Sequence, residues 1–238
     1  MNASFEQPQQ WSREFGQSDL KYPQDDLDED DEEDHEQHNV GPVTDYRLDQ
    51  PLEEEEGYKV RREKFESRKR DKVDDSFVFT WGDGKGGQLA QQSEEDILIP
   101  YTVNTFMNNP VKMCALGKRH SLFLTERGNV FACGSGLFGQ LGNNNITEVQ
   151  NRAIQVKNLK DIDMIAAGHY HCLAVEKGVR LYTWGSGSWG KLGHASDENV
   201  AAPRIVSALQ DVQIKDAACG AHHTVIISST GDVWTWGK

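Results

Sequence analysis

Short runs of apolar or alternating residues recur along the second two thirds of the chain and arrange themselves in pairs. Ser121 to Thr125 and Asn129 to Cys133 form one pair, Cys172 to Glu176 and Arg180 to Trp184 a second, and Thr224 to Ser228 and Asp232 to Trp236 a third. Turn residues around Gly128, Gly178 and Gly231 separate the members, so each pair predicts a β-hairpin. A less regular strand is expected before each pair, at Lys112 to Ala115, Asp163 to Ala166 and Ile214 to Ala217. Another is expected after each glycine-rich loop, at Ile97 to Val103, Ala153 to Val156 and Arg204 to Val206. Four short antiparallel strands per roughly 50 residues, with no run long enough for a crossover helix, describe the blade of a β-propeller.

Two motifs keep the same beat. WGDGKGGQLA at Trp81 to Ala90 returns as CGSGLFGQLG at Cys133, as WGSGSWGKLG at Trp184, and opens again as WGK at Trp236, in steps of 52, 51 and 52 residues. ALGKRHS at Ala115 returns as AAGHYHC at Ala166 and ACGAHHT at Ala218. Fixed periods of this length mark an array of one supersecondary unit whose members bury their apolar faces against their neighbours.

The paired signatures A-x-G-x-x-H-[ST] and W-G-x-G-x-x-G-x-L-G, at this spacing, resemble the repeats of the regulator of chromosome condensation family. The resemblance covers about Phe77 to Lys238 and implies a closed propeller of about seven blades. The expectation is therefore an all-β, partial propeller of about three blades over 76–238, cut within the fourth, preceded by a disordered acidic tail and basic linker over 1–75. Open flanks near Phe77 to Trp81 and Val233 to Trp236 predict instability of the array alone. Continuation past Lys238, or blades from other chains in an oligomer, would complete the ring.

Charge sharpens the division. Residues 1–58 hold 19 acidic and 3 basic groups, 59–75 hold 5 and 8, and 76–238 hold 14 of each. Self-repelling runs such as Asp25 to Glu36 offer almost nothing to bury. Tyr58 to Lys72 reads either as a solvated charged linker or as a basic patch for an import receptor. A neutral repeat region behind an acidic tail argues against nucleic-acid binding through counterion release. Cys114, Cys133, Cys172 and Cys219 make no C-x-x-C pair and fall where other repeats carry Trp, Ser, Thr or a small residue. With no signal-peptide pattern and no long apolar run, they point to a protein without a membrane span in a reducing compartment, the cytoplasm or also the nucleus.

Candidate chemistry is sparse. Each glycine loop contains G-x-G-x-x-G, including Gly84 and Gly87, Gly136 and Gly139, and Gly187 and Gly190. A dinucleotide loop would need a helix to follow and an acidic residue about 20 positions on; neither follows, so these glycines read as structural turns. Leu89, Leu141 and Leu192 are expected to fill the gap between blades, and Trp81, Trp184 and Trp236 to serve as framework aromatics. His120, His171 and His223 recur once per blade with no further ligands in the motif. A neutral imidazole bonded to a neighbouring backbone carbonyl is the favoured reading over a metal site. No catalytic motif is found, so no catalytic residue, cofactor or metal is assigned and the chain reads as a non-enzyme.

Binding specificity is expected where the repeats differ, at Gln91 to Asp96, Asn143 to Arg152 and Ala195 to Ala202. Asn143, Asn144, Asn145, Glu148, Asp197, Glu198 and Asn199 are the candidate partner-binding residues. The leading expectation is a protein-interaction platform or adaptor, its partners other proteins with a small GTPase among them. The resemblance implies as the alternative a guanine-nucleotide exchange factor or regulator for a Ran-type GTPase.

Overall fold

Every strand of the hairpins foreseen from the apolar runs is present in the computed structural model, which describes residues 77–238. The acidic tail and basic linker expected over 1–75 lie outside the described residues. Among the described residues, thirteen strands form four antiparallel sheets. The first sheet pairs β1 (Phe79–Gly82) with β2 (Ile97–Thr102). The second runs β3 (Val111–Leu116), β4 (His120–Thr125), β5 (Val130–Gly134) and β6 (Gln150–Gln155) in simple order. The third repeats this with β7 (Ile162–Ala167), β8 (His171–Glu176), β9 (Arg180–Gly185) and β10 (Val200–Ile205). The fourth has β11 (Ile214–Cys219), β12 (His223–Ser228) and β13 (Val233–Gly237). Among the described residues, helical structure is limited to 3-10 turns of three residues, at Asn104–Phe106, Ser188–Gly190 and Ser207–Leu209.

Two outer strands start earlier than their apolar content predicts: β6 begins at Gln150, before the expected Ala153, and β10 at Val200, before Arg204. The added residues are polar in β6, Gln150, Asn151 and Arg152, and in β10 a single half-buried apolar residue, Val200, is followed by Ala201, Ala202 and Pro203. An edge strand needs no apolar face on its outer side and tolerates proline there, so this pairing leaves no periodic signal.

The apolar core lies between the sheets. One cluster joins Leu122, Leu124, Val130 and Leu141 to Ile165, Cys172 and Trp184 across the second and third sheets. A second joins Leu173, Val175 and Leu181 to Ile214 and Ile226 across the third and fourth. A third sets Ala90, Val103 and Phe106 against Phe123 and Cys133. β4, covered on both faces, is buried at every position, whereas β12 alternates: Thr224, Ile226 and Ser228 are buried while His223 and Ile227 are exposed. Stacking thus decides whether a strand reads as a continuous apolar run or as an alternating one.

β3, β7 and β11 neighbour one another and form the inner edge, with β2, β6 and β10 outermost. The loops joining first to second strands and those joining third to fourth strands consequently leave the sheets at the same end. The end-of-strand pairings His120 with Gly134 and His171 with Gly185 place both loop sets on one face.

Candidate interaction surface

The glycine that closes each third strand is fixed by this convergence. Gly134, Gly185 and Gly237 have φ of 108°, 101° and 110°. A Cβ at Gly134 would strike Arg119 O, and one at Gly185 would strike Tyr170 O within 2.5 Å of it. No L side chain fits there. The next N–H in each case, from Ser135, Ser186 or Lys238, donates to Arg119 O, Tyr170 O or His222 O at 2.7, 2.8 and 3.0 Å.

One carbonyl per glycine loop then ties neighbouring sheets together. Gln88 O accepts from Ser121 Oγ at 2.8 Å and Cys133 Sγ at 3.3 Å. Gln140 O accepts from Cys172 Sγ at 3.3 Å and Trp184 Nε1 at 2.9 Å. Lys191 O accepts from Thr224 Oγ1 and Trp236 Nε1, both at 2.9 Å. Both lone pairs of a buried carbonyl are satisfied by donors of the following sheet.

The recurring histidines extend this arrangement. His120 Nε2 lies 3.1 Å from Cys172 Sγ, and His171 Nε2 lies 3.1 Å from Thr224 Oγ1. Because the thiol and hydroxyl donate to the loop carbonyls, the imidazoles act as Nε2–H donors. The partner is a side chain of the next sheet, in place of the expected backbone carbonyl. Burial pulls His120 down to about 4. Burial, and after it the Lys191 charge, pulls His171 down to about 3. Both rings are therefore neutral at physiological pH. His223, in the fourth sheet, is exposed.

Leu89, Leu141 and Leu192 are buried beneath the glycine loops, at 7%, 0% and 0% exposure. Trp184, in a sheet with a neighbour on either side, is fully buried; Trp236, in the last described sheet, is half-buried, and Trp81, in the first, is 58% exposed. Among the described residues, no group of three or more His, Cys, Asp or Glu side chains comes together as a metal site. No helix among them is long and apolar enough to cross a membrane.

The residues singled out for partner binding occupy the outer part of the same face. Asn144, Asn145, Glu148, Asp197, Glu198 and Asn199 are exposed, and Asn143 is half-buried. Three of them hold the loops in shape. Asn199 Oδ1 accepts from Gly187 N–H at 3.0 Å, matching Asp96 Oδ1 and Gly84 N–H at 3.1 Å in the first sheet. Asn143 Oδ1 accepts from Asn145 N–H at 3.0 Å. Asn144, with φ of 61°, donates its N–H to Ala201 O of the next sheet at 2.9 Å. Sequence reasoning missed the apolar members of this face, Leu137, Ile146 and Trp189, which are 44%, 60% and 40% exposed. Their signal was available: each is a large apolar residue at a variable position inside an otherwise repeating loop.

Comparison with known proteins places these features. The family model for the regulator of chromosome condensation (RCC1) repeat matches residues 75–124, 127–175 and 180–227. The human probable E3 ubiquitin-protein ligase HERC6 is 32% identical over 164 residues, which are 68% of this chain and 16% of that protein. The guanine nucleotide exchange factor SRM1 of Saccharomyces cerevisiae is 30% identical over 171 residues, 68% of this chain and 36% of that protein. The crystal structure of Prp20p from Saccharomyces cerevisiae, described with its binding to Gsp1p and histones, superposes with a TM-score of 0.59 at 30% identity, over 68% of this chain and 40% of that one. The chain thus spans well under half of each of these relatives. With three consecutive matches whose glycines, histidines and tryptophans are the residues that join sheet to sheet, the chain belongs to the RCC1 repeat family.

Proposed function

We propose that the repeats act as a protein-interaction platform that works by binding, with no chemistry of its own, and that the outer loops of the face just described choose the partner. The observation that carries this reading is a division of labour along each repeat. Residues that recur are consumed by packing and inter-sheet hydrogen bonds, while those that differ, Asn145, Glu148, Asp197 and Glu198 among them, stand exposed on one face. A rigid scaffold presenting variable loops is how binding specificity is varied on a constant fold. Asn143, Asn144 and Asn199 are better regarded as supports of these loops, so a test of recognition should leave them intact.

Combined alanine substitution of Asn145, Glu148, Asp197 and Glu198 should abolish capture of specific partners while leaving thermal unfolding unchanged. Unaltered capture would remove the basis for the reading. Similarity to the exchange factor SRM1 favours a second reading, exchange on a Ran-type GTPase. Release of labelled GDP separates the two: no acceleration is expected from a platform, and catalytic acceleration by substoichiometric protein would replace it with the exchange reading.

A further inference from the structure

Four positions around one joint of this face change chemistry together from repeat to repeat. In the first repeat they hold Lys85, Gly86, Glu94 and Arg119, and one period later Leu137, Phe138, Ile146 and Tyr170. The backbone is the same in both. Gly87 N–H closes its turn on Gly84 O at 2.8 Å, and Gly139 N–H on Gly136 O at 2.9 Å. A Cβ at Gly86 would lie 3.6 Å from Arg119 Cβ, and in the matching place the Phe138 ring packs on Tyr170 at 4.9 Å. The loop thus folds with either set, so its framework does not require the apolar one. In the third repeat Ser188 and Asp197 stand where Leu137 and Ile146 do.

Gly136 N–H donates to Thr147 O at 2.9 Å, which brings the neighbouring Leu137 and Ile146 alongside each other. Both are exposed, and Phe138 and Tyr170 beside them are half-buried. Phe138 N–H donates to Oε1 of the fully buried Gln140 at 2.8 Å, so the loop that carries the ring is held in place. Outward of these residues stand carboxylates. Glu148 follows Ile146 by two residues, and Asp197 and Glu198 lead into the strand whose Ala201 O accepts from Asn144 N–H at 2.9 Å. Among the described residues, none of the three carboxylates forms an ion pair. The cations of this face belong to other elements: Lys85 to the first sheet's loop, Lys118 and Arg119 to the inner loop, Arg152 and Arg204 to the outer strands, and Lys238 to the end of the fourth sheet, over the Trp189 ring.

We propose that Leu137, Phe138, Ile146 and Tyr170 anchor a linear segment of a partner protein, which seats one large aliphatic or aromatic side chain on them and turns adjacent lysine or arginine toward Glu148, Asp197 and Glu198. An apolar centre with a charged rim is the usual division of an interface, the centre supplying affinity and the rim register and encounter rate. A loop already fixed by its own hydrogen bonds loses little freedom on binding. The inference rests on the platform reading and names the chemistry of its partner.

A displayed library of short random peptides, selected on the full chain, tests it. Enriched peptides should share a large apolar residue close to lysine or arginine. Leu137→Lys with Ile146→Glu gives the second loop the pair that the first already carries, so folding is retained, and fluorescence anisotropy should find the selected peptides bound at least about tenfold more weakly. Leu137→Ser with Ile146→Asp, the pair of the third loop, repeats the test should thermal melts show the first variant unfolded. Glu148→Gln with Asp197→Asn and Glu198→Gln should also weaken binding and flatten its dependence on salt. Failure to enrich any peptide, enrichment of peptides without this composition, or undiminished binding by either the anchor or the carboxylate variant overturns the proposal. If the outer-loop alanine variant still loses its partners while the selected peptides ignore the anchor variant, the platform stands and the anchor alone falls; if that alanine variant keeps its partners, the platform reading itself falls.

Discussion

A single backbone oxygen, repeated as Gln88 O, Gln140 O and Lys191 O, receives two donors from the following sheet in each glycine loop. Trp184 serves this oxygen while filling the centre of the largest inter-sheet cluster. Trp184→Ala should therefore cost about 3 to 5 kcal/mol in denaturant unfolding, as the loss of a large buried aromatic does. A pH effect follows from the histidines. Their folded values of about 4 for His120 and about 3 for His171 lie below the ordinary 6.5, so the unfolded chain binds protons first as pH falls. Stability contributed by keeping them neutral is complete above pH 6.5 and is lost on descent toward 4 and 3, by about 3 kcal/mol for His120 and about 5 kcal/mol for His171 at the lower end. His171→Gln should flatten this dependence in unfolding experiments between neutral pH and pH 4, whereas an unchanged slope would show that other groups govern it. Recurrence singled these residues out in the sequence. Their bonding partners were not legible, because the atoms they reach belong to a sheet 52 or 53 residues further along.

Within one loop, neighbouring choices compensate. A Cβ at Gly142 would stand 2.9 Å from Trp184 Nε1, and one at Gly193 would stand 3.0 Å from Trp236 Nε1. In the first repeat the aromatic is replaced by Cys133, and the matching loop residue is Ala90, with φ of 56°. The small thiol leaves room for a methyl group, and Phe106, Phe123 and Phe131 occupy the remaining volume. Gly142→Ala should thus destabilise by more than about 1 kcal/mol, through both contact and positive φ, while Ala90→Gly should fall within about 1 kcal/mol of neutral. Thermal melts of the two variants check the contrast. Hairpins and inner strands were visible as apolar runs, and the starts of the outer strands were not, since Asn151, Arg152 and Ala201 to Pro203 lie where the register shifts between paired positions. The variable loops were found from differences between repeats. That Asn199 braces its own loop could not be seen without the geometry of Gly187, twelve residues earlier.

Across the whole array, covalent repeat and folded sheet are out of phase. The stretch matched at 75–124 includes β1 and β2 of the first sheet and β3 and β4 of the second, and 127–175 divides likewise between the second and third. Weakening one interface should therefore be felt on both of its sides. Hydrogen exchange of Trp184→Ala is expected to quicken in β4 and β5 as well as in β8 and β9, and acceleration confined to β8 and β9 would contradict such coupling. The phase offset also bears on how chains of this kind grow. A duplicated segment of one period carries the outer half of one sheet and the inner half of the next. Unequal recombination between two periods therefore yields a daughter in which each loop carbonyl meets donors and each imidazole an acceptor, except where the Ala90 loop is brought against a tryptophan in place of Cys133. Gain or loss of a period elsewhere leaves no mismatched seam for selection to repair, and lineages remain free to diverge in the loops.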